Sequence, residues 1–324
     1  MNILIVGGAG YIGGALTDII DNDNNNVRVY DSLVYEDAYL KDVKFIRGDI
    51  RDCDKLSPHV DWADTIVWLA AIVGDGACAL DPVLSQEINC DSVKWLADRL
   101  NGRHAGYMIK DTRVIFMSTC SVYGAQDGIL NEKSPIAPLS IYGNTKYEAE
   151  QYLLAERPRH ALIFRLGTVY GVGDRYSRIR LDLVVNVLTM KAATQGKLTV
   201  FGGDQFRPLI HVRDVANTIN NHIASDYSGH YNLCSQNVRI VDLAYQVRNH
   251  FPDCEMIVTE MKFEDSRNYR AASDMAEKIL NYKPMWSIDN GIEQVKSLIE
   301  GERIKDVTDN RYSNHAYLQQ YLEK

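Results

Sequence analysis

Long hydrophobic runs are missing from this sequence. The apolar stretches near its start are strand-sized, and none approaches the roughly 18–20 residues that a membrane-spanning helix needs. Met1 to Val6 leads straight into glycines with no basic segment before it, so a secretory leader is not expected. Paired cysteine spacing is missing too. Cys53, Cys78, Cys90, Cys120, Cys234 and Cys254 form no CxxC and no Cys/His cluster, so neither a disulfide framework nor a metal site is expected, and a reducing, cytoplasmic setting fits. Positive charge is in deficit: 35 Lys+Arg against 43 Asp+Glu leave a formal charge of −8. That argues against a nucleic-acid binder held by phosphate neutralisation. A small anionic ligand is still allowed, because a helix N-terminus and a few arginines hold one locally. No repeat or low-complexity tract interrupts the chain. Its 46% apolar and 24% charged residues are ordinary for a soluble globular protein, and 324 residues supply a full core for one large α/β domain or two modest ones.

The first half alternates short β-branched runs with longer helical stretches. Strands are expected at Ile3–Val6, Val27–Tyr30, Lys44–Ile46, Thr65–Leu69, Arg113–Met117 and Ala161–Arg165, and helices at Gly13–Asp21, Pro82–Asn101 and Tyr142–Glu156. That rhythm reads as βαβ units, hence an α/β fold of the Rossmann type: a doubly wound parallel sheet with helices on both faces. After residue 170 the rhythm weakens. Gly171–Arg180, rich in glycine and arginine, reads as a loop at a binding cleft; a helix over Leu181–Gly196, a strand over Leu198–Phe201 and two helical segments around Pro284 follow. The expected division is residues 1–170, joined by about 207–235, as the nucleotide-binding domain. Residues 171–206 and 236–324 would form a smaller C-terminal, substrate-binding cap.

Gly7-Gly8-Ala9-Gly10-Tyr11-Ile12-Gly13 follows the first strand and opens the first helix. Glycines at Gly7, Gly10 and Gly13 give a tight turn, close backbone approach to a diphosphate and close helix–strand packing, with the helix dipole facing the anion. Three glycines alone are a weak signal. Here the next strand ends in Asp31-Ser32, 18 residues beyond Gly13, and an aspartate there accepts from both ribose hydroxyls of an adenosine and repels a 2′-phosphate. The expected ligand is NAD rather than NADP. Asp49-Ile50, after the third strand, is placed to meet an adenine amine and cover its ring, although an ordinary acidic turn reads the same way. Leu69-Ala70-Ala71 ends the next strand in small residues, as suits a backbone passing close to a cofactor.

Tyr142 and Lys146 lie four apart in a helical stretch, so they share one face. A phenol of pKa about 10 is a poor base at neutral pH, and a fixed ammonium nearby is expected to lower it. Such a pair exchanges a proton with a sugar hydroxyl while hydride moves to or from nicotinamide. An exposed Tyr and Lys on an amphipathic helix would look the same; the dinucleotide signature upstream tips the balance. Ser118 and Thr119 end the strand Val114–Met117, where ligands of such sheets bind.

Together these residues resemble the extended short-chain dehydrogenase/reductase family, in particular its sugar-nucleotide epimerase/dehydratase group. The markers are GGAGYIG at 7–13, Asp31, GDIRD at 48–52, LAA at 69–71, Asn89, STCSVYG at 118–124, YGNTK at 142–146, RPLIHVRDVA at 207–216 and YNL at 231–233. The resemblance implies Thr119, Tyr142 and Lys146 as catalytic residues, Lys146 also holding the nicotinamide ribose, with Asn89 supporting that region. It places Thr119, Tyr142 and Thr168 at a nucleoside diphosphate sugar, with Arg207 and Arg267 at its diphosphate, and it implies a homodimer paired through helices within 82–101 and 141–156.

Two departures narrow the chemistry. Where related 4,6-dehydratases carry Asp-Glu, this chain has Cys120-Ser121, so dehydration is not expected. Cys120 also stands one position off the cysteine of fucose-synthase-like and mannose 3,5-epimerase-like relatives and, on a strand, would point away. Thr168 replaces a common Asn, and RLGTVYG with RIRLDLVVN resembles GDP-heptose 4-dehydrogenases more than UDP-galactose 4-epimerase. Cys78 reads as a small buried cysteine and His211 as structural. The expected activity is hydride transfer at sugar C4, as a 4-epimerase, a 4-dehydrogenase or a 4-ketoreductase. The rival is a catalytically silent NAD-sensing interaction protein of the same fold.

Overall fold

The computed structural model describes residues 1–20, 22–103, 111–157, 159–173, 176–259 and 268–323. Seven parallel strands form its main sheet, in the spatial order Gly229–Leu233, Ala161–Leu166, Arg113–Thr119, Thr65–Trp68, Asn2–Val6, Asn26–Asp31 and Lys44–Arg47. The order reverses direction beside Asn2–Val6: the chain first runs outward to Asn26–Asp31, then returns to Thr65–Trp68 on the other side. A crevice at the carboxyl ends of the strands is the geometric consequence of that reversal.

Side-chain alternation builds the two layers around this sheet. Ile3, Ile5, Val29, Val67 and Ile115 pack on one side with the helices Tyr11–Ile19 and Val212–His222. Leu4, Val6, Ile66, Trp68, Val114 and Phe116 pack on the other with Ser92–Leu100 and Ile141–Glu156. All six expected strands form within a residue or two of their expected ends. The seventh, Gly229–Leu233, reaches the sheet through the helix Val212–His222, which lies against the first helix.

The long helix expected over Pro82–Asn101 is interrupted. It runs Pro82–Gln86, takes one π turn at Glu87–Asp91 and continues as Ser92–Leu100. The wide turn carries the fully buried Asn89, whose side chain accepts from Ile72 N–H at 2.8 Å and donates to Ile72 C=O at 2.9 Å. Two backbone groups past the end of the fourth strand are thereby satisfied, and the strand-to-loop exit is fixed.

The remaining strands make smaller sheets: Gln236–Arg239, Phe206–His211 and Thr168–Tyr170 in one, Lys197–Phe201 with Glu255–Thr259 in another, and Ile129–Leu130 with Arg270–Ala271. Helices Val184–Gln195, Ile240–Asn249 and Ile288–Glu300 close a separate core around Val185, Leu209, Leu243 and Ile292. No helix among the described residues is long and apolar enough to cross a membrane.

One charged pair sits inside the main core. Glu150 and Arg165 are 0% and 2% exposed and meet through paired hydrogen bonds, with Arg165 also donating to Tyr123 Oη at 2.9 Å. Removing one partner strands a buried charge. Arg165→Leu is expected to lower stability by about 3–5 kcal/mol in urea unfolding, and the double variant Arg165→Leu/Glu150→Leu to recover most of that loss. A single variant as stable as the parent would refute this account of the pair.

Candidate active site

The crevice at the reversal point opens into a cleft of about 420 Å³. Its floor depends on backbone contact. Gly7 has φ +83°, and a Cβ there would stand 2.4 Å from Ala70 N; one at Gly13 would stand 2.5 Å from the Gly8 backbone. Gly10 caps the helix Tyr11–Ile19 with no side-chain hydrogen bond and no acidic residue in the first turn. Among the described residues no side chain caps the N–H groups at the helix start, which suits a diphosphate. Asp31, at the end of the second strand, accepts from Ala9 N–H at 3.0 Å and Leu33 N–H at 2.8 Å. Burial raises its pKa above the ordinary carboxylate value, against the pull of those N–H bonds. An uncapped glycine cradle beside a placed carboxylate fits a dinucleotide with a free 2′-hydroxyl.

Thr119, Tyr142 and Lys146 all line the same cavity. Thr119 caps a short 3₁₀ turn, accepting from Ser121 N–H at 3.1 Å, and its hydroxyl is hydrogen-bonded to the Tyr142 phenol. The ordered acceptor on one side leaves the threonine proton for the phenol oxygen. Tyr142 and Lys146 project from one face of the helix Ile141–Glu156, whose start is fixed by Ser140 accepting from Gly143 N–H. Lys146 Nζ lies 4.0 Å from the Phe116 ring centroid.

The electrostatics correct one expectation. Burial pushes the Tyr142 phenol upward, and only the Thr119 hydrogen bond and Arg180 pull the other way. Burial likewise lowers Lys146 to about 7, so near neutrality it is about half charged. Desolvation outweighs the local help, and the phenol is not held acidic by its lysine neighbour.

Most expected site residues meet here: Gly7, Gly10, Tyr11, Ile12, Gly13, Asp31, Ser32, Asp49, Ile50, Leu69, Ala70, Ala71, Ser118 and Thr168 also line the cleft. Like Asp31, Ser118 and Asp49 are already engaged. Ser118 Oγ donates to Glu150 at 2.8 Å. The Asp49 carboxylate is clamped by Arg51, which lowers its pKa, and Arg51 in turn bridges to Glu87 at 3.1 Å. Asn89 does not line the cleft; it stands behind Ile72 and acts through that backbone. Arg207 is not among the residues brought together there. It lies in the middle strand of the three-stranded sheet, 6% exposed and outside the cleft lining, with Nη1 donating to Phe206 C=O at 2.8 Å. Arg267 falls outside the described residues.

Neither cysteine near the motifs is placed to react. Cys120 begins the 3₁₀ turn rather than extending the strand, and its thiol donates to Arg165 C=O at 3.3 Å, away from the cleft. Cys78 donates to Ile72 C=O at 3.3 Å, and burial pushes its thiol up to about 11. His211 is structural: it caps the helix Val212–His222, stacks on Trp286, and burial lowers it to about 4.

Part of the wall had no motif to announce it. Arg178 and Arg180 come from the glycine- and arginine-rich loop, and Asn314, Leu318 and Tyr321 from the last helix, Asn314–Leu322. Asn314 donates to Val73 C=O at 2.9 Å, while Leu318 packs in the cluster that includes Ile72 and Tyr142. The arginine-rich loop was a usable signal; the tail had none that a short window could show.

The chain belongs to the NAD dependent epimerase/dehydratase family, whose model matches residues 3–234. Among curated relatives, a UDP-glucose 4-epimerase of Halalkalibacterium halodurans is 27% identical over 322 residues, 90% of this chain and 94% of its own. The solved UDP-glucuronic acid 4-epimerase of Bacillus cereus, in complex with UDP-glucuronic acid and NAD, superposes with a TM-score of 0.78 at 24% identity, covering 93% of this chain and 99% of its own. A dTDP-glucose 4,6-dehydratase of Bacillus anthracis, in complex with NAD, superposes with a TM-score of 0.75 at 21% identity, covering 94% and 98%. At such identities these structures share the fold. Because a dehydratase is among them, the exclusion of dehydration drawn from Cys120-Ser121 is not supported.

Burying Lys146 has a measurable consequence for stability. Its folded value of about 7 lies below the ordinary 10.5. Below the folded value both states carry the charge and the burial penalty is complete. Between the two values the unfolded chain alone holds the proton, so the penalty fades as pH rises. Lys146→Met is therefore expected to raise the melting midpoint near pH 6 and to lose that advantage near pH 10; an advantage independent of pH would contradict the assignment.

Proposed function

We propose that this protein is an NAD-dependent 4-epimerase of a nucleoside diphosphate sugar. The observation that carries the reading is the meeting, in one cleft, of an uncapped glycine cradle with Asp31 and the group Thr119, Tyr142 and Lys146. The 27% identity to a UDP-glucose 4-epimerase across nine-tenths of the chain supports epimerisation over a one-way dehydrogenase or ketoreductase. A silent NAD-sensing protein of this fold would have no use for a buried lysine aligned with a tyrosine, which costs stability.

In this reading Gly7, Gly10, Tyr11, Ile12 and Gly13 hold the dinucleotide's diphosphate, Asp31 and Ser32 its adenosine ribose, Ile50 its base, and Leu69–Ala71 its backbone-facing side. NAD, when bound, supplies a hydride acceptor and donor. Tyr142 takes the proton of the sugar's 4-hydroxyl in the oxidative half and returns it in the reductive half. Thr119 fixes that hydroxyl and donates to the phenolate, offsetting part of the desolvation that opposes it. Lys146, in its charged form, supplies positive charge on the same helix face and holds the nicotinamide ribose. Thr168 lines the sugar end. Epimerisation then requires the 4-keto sugar to present its other face before the hydride returns. The reading also carries the homodimer, through helices within 82–101 and 141–156.

The test is a panel of UDP- and GDP-sugars followed by NMR, with native mass spectrometry for retained dinucleotide. A C4-epimeric mixture should form without net change in reduced nicotinamide. Tyr142→Phe should lower turnover by about a hundred- to ten-thousand-fold and leave NAD affinity intact. Steady consumption of added NAD, or unchanged turnover in that variant, would reject the proposal.

A further inference from the structure

We infer that Arg180 is a diphosphate-binding residue of the cleft, positioned there by Asp182 and by Asn314 of the C-terminal helix. The inference rests on the proposed reaction only in that both of its ligands carry a diphosphate. Arg207, the arginine singled out for that role by resemblance, lies outside the cleft lining. Arg180 lines it, its side chain 11% exposed.

Its hydrogen bonds show how it is held and what is left over. Nε and Nη2 each donate to Asp182 at 2.9 Å, an edge-on pairing that fixes the guanidinium plane. Asp182 is itself anchored, accepting from Asn314 N–H at 2.8 Å. Nη1 makes no hydrogen bond among the described residues. Its neighbour Arg178 is differently used: Nη1 donates to Asn314 at 2.7 Å, Nη2 to Arg311 C=O at 3.2 Å, and the guanidinium lies 3.7 Å from the Tyr35 ring centroid. Arg178 ties the tail down, and Arg180 keeps one amino group for a ligand.

Charge and position agree with this division. Arg180 lies close enough to Arg178 for its charge to be felt there, and Arg180 is the one of the two to which Asp182 bonds directly. Asp31 and Glu36 also face Arg178, so the corner as a whole is not short of negative charge; what is left for an anion is Arg180 Nη1, which bonds to no carboxylate among the described residues. Arg180 also lies within electrostatic reach of both Tyr11, which opens the first helix, and Tyr142. Its charge is therefore felt both at the start of the first helix and at the reactive phenol. A diphosphate of either the dinucleotide or the nucleotide sugar meets it there.

The experiment is calorimetric titration of purified wild type, R180Q, R180K and N314A with NAD, UDP, adenosine and uridine. R180Q should weaken one or both diphosphate ligands by about 10- to 100-fold, with a shallower salt dependence, and leave adenosine and uridine unchanged. R180K, which keeps the charge without the planar fork, should fall between. N314A, a positioning change, should weaken the same ligand less and keep the wild-type salt slope. A loss in the NAD arm assigns the dinucleotide's diphosphate, and a loss in the UDP arm the sugar nucleotide's. Where R180Q alone lowers the unfolding midpoint, R180Q/D182N removes the orphaned carboxylate and carries the same comparison. Equal affinities for both diphosphates, or a parallel loss for adenosine and uridine, overturn the inference. A protein that shows the Arg180 dependence yet epimerises nothing keeps it and sinks the proposed function instead.

Discussion

The site begins with two backbones that touch. Gly7, leaving the first strand, passes so close to Ala70, leaving the fourth, that one added methyl carbon would stand 2.4 Å from a main-chain nitrogen. Hydrogen bonds from Leu69 and Ala70 N–H to Val6 C=O, 2.8 and 2.9 Å, lock the two exits together. Because the strand order reverses between these strands, the chain leaves them in opposite directions, and a cleft opens above the contact. Asn89 extends the same logic one residue further by taking both backbone groups of Ile72. Glycine, small residues and one buried amide thus fix the floor on which a ligand and the reactive side chains meet.

Above that floor the dominant force is desolvation. The same burial that excludes water raises Tyr142 and lowers Lys146, so the protein stores neither a ready phenolate nor a fully charged lysine. Contrast the core pair beneath: Glu150 and Arg165 are at least as deeply buried, yet each satisfies the other through several hydrogen bonds, and Ser118 and Tyr123 join them. One buried ionic group is complete and structural; the other is incomplete and open to a ligand. Unsatisfied charge in a cleft is what distinguishes a reactive site from a structural network.

Legibility in the sequence followed the range of the interactions. The strands Ile3–Val6 through Ala161–Arg165 were visible because each buried strand is a local apolar run, and the cradle because its glycines answer a steric demand within seven residues. Tyr142 and Lys146 were visible through helical spacing read together with the glycine signature upstream. The sign of their pKa shifts was not, since it depends on how many distant atoms exclude water. The π turn at Glu87–Asp91 was hidden because its benefit lies in Ile72, across the fold. Arg207 illustrates a related point: a motif names a position on a strand, while the smaller sheet decides what that side chain faces.

The last helix is the strongest case of information held only by the fold. Its sequence is polar and tyrosine-bearing, with no pattern that ties it to a glycine turn some three hundred residues earlier. Yet Asn314 bonds at once to Val73 beyond the fourth strand, to Arg178, and to Asp182, while Arg311 reaches Asp37 beyond the second strand at 3.7 Å. Leu318 meets the apolar cluster beside Tyr142. The segment therefore spans the cleft from the loop after Asp31 to the reactive phenol, and it does so with few apolar contacts and several hydrogen bonds of its own. A helix far along the chain thus completes, through polar contacts and the buried Leu318, a wall of the cleft that also holds Thr119, Tyr142 and Lys146.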